Sequence, residues 1–579
     1  MLVSIVRLKR LCWMFALILA AFVALPVEGR CVGEINDTAQ LSGKVVQVSR
    51  VYAPTIEDAE KISTLPSLLD TLEGQIYPMR YIFLQRDVHT DFPVRPVPPA
   101  KLGQESLGTL RNWYVKVGYG NYISPLLESY YSSDGAEAVT YDVSLKHLSA
   151  WGRVKLYDGV RVSAPHSSSS LAGTVRAVAG SVGLSGEAQY RHVYDNFYGA
   201  DTLRSAVYNP LWRSGTNAHL VDAAFRIESL SVDSSRFRYD ASLSYGGYYD
   251  SRSERQSRYS VAFKGQKYWR HTCFGGDLNF DYFDKEMNPS IGDNVVVGAM
   301  PWVRIGGDRW RVQVGVQFVY DYNNGKGYPY FFPRAHLSYD VVEGYFVPYL
   351  EVQSGLEMAD YRTIRGENPW ISPGLRVRNA AKRLDIVAGV KGKFNNRLSY
   401  NLRGSYAIYD SAHFYVNRAI EVVDAMSGIY AWRAIKSDFG VLYDNADVLH
   451  LNGSLDYRLG QYLLLGIQGD YWHWSARHID VPWHKPKFRV KAHASYNLRR
   501  KLQVGLDFNC TGGRRAKGLD GVSVALPVEY GLDLHAQYRF VSDWSFFIDL
   551  RNVLACRYEI FYRYPAHRFN GHMGVILDF

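Results

Sequence analysis

The sequence predicts an all-β fold, a large closed antiparallel β-barrel that crosses a membrane with its strands, and three observations carry that expectation. Apolar and polar residues alternate with period two again and again from about residue 111 onwards. The alternating segments are long: Val528 to Phe540 keeps the pattern over thirteen residues, whereas a soluble strand usually has about 5–6. Aromatics make up 14% of the chain, with 44 Tyr and 13 Trp, and many stand at strand ends, where membrane-interface girdles form.

Residues 1–29 read as a secretory signal peptide. Arg7, Lys9 and Arg10 give a basic start, Leu11 to Leu25 an apolar run, and Val27 and Gly29 the small residues ahead of cleavage. Arg30 makes Cys31 a poor site for lipid attachment. The cysteines left after cleavage, Cys31, Cys273, Cys510 and Cys556, form neither a disulfide framework nor a metal-binding spacing. The net charge of +10 is spread along the chain. For an exported protein that suits anionic lipid or sugar, and nucleic acid is not an expected partner.

Residues 30–110 read as a short periplasmic or lumenal extension. Thr55, with Asp58 three residues on, caps one or two helical turns that Pro66 stops. Pro93, Pro96, Pro98 and Pro99 then force extended backbone, a stiff linker or a strap against the barrel.

Residues 111–579 form the barrel. In "VEYGLDLHAQYRF" the parity of Tyr530, Leu532 and Leu534 is expected to face lipid, while Glu529, Asp533, His535 and Arg539 face the lumen. "WSFFIDLRNV" adds Asp549 and Arg551 to the inward set, "FRVKAHASYNL" adds Arg489 and Lys491, and "VLHLNGSLDYRL" adds Asp456 and Arg458. Mixed signs on neighbouring strands suit a wall of cross-strand ion pairs, and a contact surface for a solute or for the strap is the alternative. About 22 strands are expected, within a range of 14 to 24, the doubtful segments being 125–149, 371–391 and 428–459. Short connections at 233–236, 323–327 and 395–397 read as periplasmic turns. Longer polar stretches at 161–170, 195–216, 357–370, 410–434 and 511–524 read as extracellular loops.

Closure requires the first strand, near "NWYVKVGYGNY", to pair with the last, near "HMGVILDF". Met573, Val575, Leu577 and Phe579 then point to lipid, His572 and Asp578 point inward, and Ile576 is an apolar exception on the inner face.

Catalytic and metal patterns are sparse. His473, His478 and His484 lie close in sequence, but their spacing matches no zinc signature and suits loop histidines near the interface. Ser454 and His450 share a strand face about 13 Å apart, too far to hydrogen-bond. No nucleophile elbow, HExxH or phosphate loop is present in a supporting context, so neither an enzyme nor a cofactor is expected.

Several stretches resemble a known family. "LRNVLACRYE" (550–559) with Asn552 and Tyr558, the aromatic loop with Tyr562, Tyr564 and Pro565, and the strand Gly574 to Phe579 resemble the C-terminus of a TonB-dependent receptor barrel. "VVQVSRVYAPTIEDAEKI" (45–62), "PVPPAKL" (96–102) and "VGYGNYISPLLESYYS" (117–132) resemble Bacteroidota-type outer-membrane proteins of the TonB-dependent receptor-like group. The resemblance implies a 22-stranded barrel in the outer membrane of a diderm bacterium. It makes Phe579 the signal read by the barrel-insertion machinery, and Val45, Val46 and Val48 in "KVVQV" the candidate partner-binding segment.

The chain also departs from that family. Only 81 residues, 30 to 110, precede the first barrel strand, and they carry no "IRG…VLVDG" plug motif; the single "IRG", Ile364 to Gly366, falls in a barrel loop. A receptor or transport barrel with a degenerate or missing plug is therefore the first reading. A structural accessory subunit of an outer-membrane assembly or surface-export machine is the second, and a passive pore the third. Expected partners are outer-membrane lipid, the insertion machinery, and periplasmic or outer-membrane proteins.

Overall fold

A strand whose side chains alternate has one apolar and one polar face, and in lipid both of its edges must be hydrogen-bonded. In the computed structural model of the chain, a closed antiparallel barrel of 22 strands meets both demands. The structure describes residues 111–579 apart from 134–137, 157–158, 200–214, 232, 234–235, 285–293, 324, 424–429, 500 and 519–520, and apart from the side chains of 419–437. The expectations for the signal peptide, Cys31, the extension with its Thr55 cap and proline strap, and Val45, Val46 and Val48 lie outside the described residues.

The first strand, Trp113–Gly120, pairs with the second, Ser124–Ser132, and with the last, Asn570–Asp578. The thirteenth runs as Val347–Gln353 and Gly355–Glu357 about Ser354, and both parts pair with the fourteenth, Ala380–Asn395. Closure joins the expected strands, with Tyr114 opposite Asp578 and Gly120 opposite His572. The last strand keeps its expected parity too: His572 and Ile576 are each 2% exposed, against 67% for Met573 and 56% for Phe579. Ile576 is buried because it packs with Leu126 and Phe547 beside the seam.

The seam is tight. Gly118 faces Gly574 across it, and a Cβ on Gly574 would overlap the Val117 carbonyl oxygen. Trp113 and Phe579 exchange backbone hydrogen bonds of 2.8 and 3.0 Å, and their rings stack with centroids 6.3 Å apart.

The doubtful segments resolve individually. Stretch 125–149 is parts of two strands, the second being Val139–Ala150. In 371–391 the strand begins only at Ala380. Most of 428–459 is one strand, Tyr430–Leu459, paired with Leu398–Val423. Much of the loop expected at 410–434 is therefore strand, and so is part of that at 161–170, where the fourth strand starts at His166. In both places the pairing runs on past polar residues: in one it shifts register at Asp410 and Ser411 and resumes through Ala412 and His413, and in the other it includes Ser167 to Ser170. Alternation of apolar residues cannot mark strand there.

The turns at 233–236 and 395–397 lie at the end of the barrel that holds Phe579, here the proximal end. The turn at 323–327 belongs to the opposite, distal end, contrary to expectation. Its flanking strands pair up to Asn323 and Lys326, so a tight turn suffices on the side where other loops are long. No helix among the described residues is long and apolar enough to cross a membrane.

Candidate functional site at the distal mouth

The segment 358–379 follows the thirteenth strand at the distal end and carries the helix α1, Tyr361–Glu367. Asp360 caps it, accepting from the Thr363 backbone N–H at 2.6 Å. The helix reaches the inner wall of the fifth to eighth strands, Val182–Asn196, Gly215–Ser229, Arg238–Asp250 and Arg255–Trp269. Arg362 makes a two-pronged ion pair with Asp222 at 2.7 and 2.6 Å. Asp222 stands at the middle of the sixth strand, so the helix descends into the barrel. Arg365 lies between Asp195 and Asp250 at 3.6 and 3.5 Å, with all three side chains buried. The Tyr361 N–H donates to Gln256 at 3.1 Å. A segment rooted beside the fourteenth strand is thus fastened to strands six to nine places away around the ring.

Beyond α1 the chain builds an aromatic core over the mouth. Trp370 stacks on Tyr564 with centroids 3.9 Å apart, and its indole N–H donates to the Asn196 carbonyl at 3.0 Å. Ile371 bridges in parallel to Phe439, on the extension of the sixteenth strand beyond its pairing with the seventeenth, and both side chains are fully buried. Phe197, Tyr198 and Ile364 join them, with Val154, Leu156 and Val162 from a small hairpin at 153–163. Arginines tie the loops through backbone carbonyls. Arg557 donates to Lys155 and Leu156, Arg563 to Gly199, and Arg514 to Glu559 and Ile560. A Cβ on Gly199 would overlap the Tyr564 ring, so this approach requires glycine.

A polar network edges this core. Glu367 accepts from the Tyr415 hydroxyl at 2.7 Å and lies 2.8 Å from His413 Nε2. Burial opposes its charge, yet these bonds, the imidazole's charge and nearby Lys485 outweigh it and hold the carboxyl down at about 2. His484 donates from Nδ1 to the Tyr415 carbonyl at 2.9 Å and accepts at Nε2 from the Tyr562 N–H at 3.4 Å. That arrangement fits the neutral ring. Burial lowers its pKa to about 4, with Arg514 and Lys485 adding to the effect against the Tyr415 carbonyl.

With this geometry in view, comparisons with other proteins divide. No known protein-family model matches the chain, and no curated protein matches it. Solved structures do match. The FrpB iron transporter from Neisseria meningitidis superposes with a TM-score of 0.62 over 82% of each chain at 8% identity. The siderophore receptor PirA from Acinetobacter baumannii gives 0.60 over 81% of this chain and 80% of its own, at 10% identity. The ferripyoverdine receptor of the outer membrane of Pseudomonas aeruginosa gives 0.58 over 81% and 72%, at 13% identity. The protein has the fold of an outer-membrane iron or siderophore receptor. At such identities the likeness is one of fold alone.

The residues singled out in the sequence fall into separate groups. Asp549 bonds Lys116 at 2.8 Å and His535 at 3.2 Å, and His535 also reaches Asp507 at 3.4 Å. Arg539 pairs with Asp578 at the proximal end, and Arg551 stands opposite Asn570. Glu529 pairs with Arg514, and Asp533 accepts from the Asn552 N–H, both beside the distal loops. Arg489 lies over the Trp472 ring, and Lys491 stands opposite Gln468. Asp456 and Arg458 stand opposite Gly466 and Leu464.

The three histidines also separate. His473 is on a strand, His478 bonds Asp444, and only His484 enters the core. His450 bonds Asp470 at 2.9 Å. No group of three metal-ligating side chains occurs among the described residues. Sequence reasoning missed Asp222, Arg362, Arg365 and Trp370. The one local signal was Asp360 ahead of Thr363, a helix-cap pattern inside a stretch taken as loop.

Proposed function

We propose that the protein is a receptor-type transport barrel of a diderm outer membrane, of the TonB-dependent kind. In this reading segment 358–379 holds the distal mouth shut until a ligand outside or a partner inside releases it, and the 30–110 extension stands in place of a full plug. The observations that carry the proposal are the contacts of α1 with Asp222, Asp195 and Asp250 and the stack of Trp370 on Tyr564. Burying large side chains such as Trp370, Ile371, Phe439 and Tyr564 stabilises the closed state by roughly 2 kcal/mol each. Spontaneous opening is then rare, which disfavours a passive pore. The polar parity bearing Lys116, His535 and Asp549 is proposed as lumen wall, held by its own ion pairs.

An iron chelate is the first cargo to test, since the similar folds are those of an iron transporter and siderophore receptors. Deleting 44–48, with Val45, Val46 and Val48, should abolish uptake and crosslinking to an energising inner-membrane protein. Unchanged uptake would refute the coupling. The second reading, an accessory subunit of an envelope machine, draws on the way the mouth packs like a domain core. Isolation from native membrane as a lone barrel would count against it.

A further inference from the structure

Outward side chains of a membrane barrel form an apolar band about 25 Å tall. On the third to seventh strands the outward parity is that of the exposed Val143, Leu171, Tyr190, Phe225 and Leu243. The opposite parity carries Asp195, Ala218 and Tyr248 into the mouth core and its ion pairs. On the outward parity, one register row crosses all five strands as His147, Ser169, His192, His219 and Tyr249, and exposed Arg255 continues it on the eighth.

This row is built and held in place. His147 Nδ1 lies 2.8 Å from Ser169 Oγ, Tyr190 Oη 2.7 Å from His219 Nδ1, and His192 Nε2 3.2 Å from Asn217 Oδ1. His219 stacks on Tyr249 at 4.9 Å and 9°, and lies 4.9 Å from His192 on its other side. Each imidazole uses one nitrogen on a neighbour and keeps a second for a ligand.

Height in the membrane indicates which ligand. The row stands ten residues above the proximal strand end, counted from Ser229 to His219 or from Val182 to His192. At about 3.3 Å per residue and a tilt of about 40°, that is ~25 Å, the full height of the apolar band. The row therefore reaches the headgroup level of the distal leaflet. Imidazole and hydroxyl donors beside a guanidinium are the chemistry that receives phosphate oxygens.

We propose that His147, Ser169, His192 and His219, with Arg255, form a docking strip for phosphorylated lipid headgroups of the distal leaflet. The proposal depends on the barrel lying in a membrane and is independent of the receptor reading.

The test uses the full-length protein in detergent, titrated with bis-phosphorylated lipid A and with its dephosphorylated form, and read by native mass spectrometry. Wild type should retain the phosphorylated lipid in preference. His192→Ala combined with His219→Ala should weaken retention about five-fold or more, as loss of two phosphate contacts implies. Arg255→Gln, at an exposed position where folding is not at stake, should weaken it in the same direction, and Val314→Ala elsewhere on the wall should not. Equal retention by wild type and both strip variants would overturn the proposal, and so would indifference to the phosphates. A protein partner that crosslinks to Ala188→Cys in native membrane, with no lipid preference, would also overturn it.

Discussion

His484 ties its own loop to the fifteenth strand and to the loop of Tyr562 through one imidazole in one protonation state. Its Nε2 accepts from Tyr562, so a proton there removes the acceptor as well as charging a buried ring. With the folded pKa depressed to about 4 from an unfolded value near 6.5, this contribution is complete above about pH 6.5. It is lost as pH falls towards 4, by roughly 3 kcal/mol over the whole window. Hydrogen-exchange protection in 552–569, corrected for the intrinsic pH dependence of exchange, should therefore be lower at pH 5 than at pH 7, and His484→Gln should remove most of that difference. Glu367, at about 2, keeps its ionised contacts until about pH 4.5 and loses them only in stronger acid. It does not contribute to the change between pH 7 and 5. Nothing in the spacing of His473, His478 and His484 marked the third as the one that counts; its partners come from strands and loops far away in sequence.

At the scale of the element, strands inside the lipid band were legible because lipid imposes period two on them. The pairing of first strand with last, the parity of the last strand and a strand number near 22 all followed from it. Outside the band that constraint lapses. The strands continue through 412–417 and 166–170 without an alternating apolar pattern to mark them, and the turn at 323–327 carries no mark of its side. α1 has a single exposed clue in Asp360, since its arginines answer to aspartates more than a hundred residues away. The seam gives the sharpest element-scale test. Gly574→Ala should lower the amount of folded, heat-modifiable barrel in the membrane by several-fold, because a Cβ there has no room against the Val117 carbonyl. Phe579→Ala should lower it as well by removing the ring stacked on Trp113. Unchanged membrane levels in both variants would show that the seam tolerates what its geometry forbids.

The whole molecule combines two kinds of closure. The first, of strand one on strand twenty-two, removes every edge from lipid. The second closes the mouth, where loops from separate arcs of the ring share one core. Sequence alone reached the first, because it is a property of alternation. It could not reach the second, because the core depends on which loops meet above the lumen. We propose that the contacts of α1 and Trp370 with the far loops and wall keep the lumen closed at rest. Planar-bilayer recording tests that most directly. The wild-type protein should pass no steady current, and Arg362→Ala with Trp370→Ala, which cuts the Asp222 latch and the Tyr564 stack, should pass one. A large steady conductance in the wild type, or none in the variant while its barrel stays folded, would contradict the latched mouth.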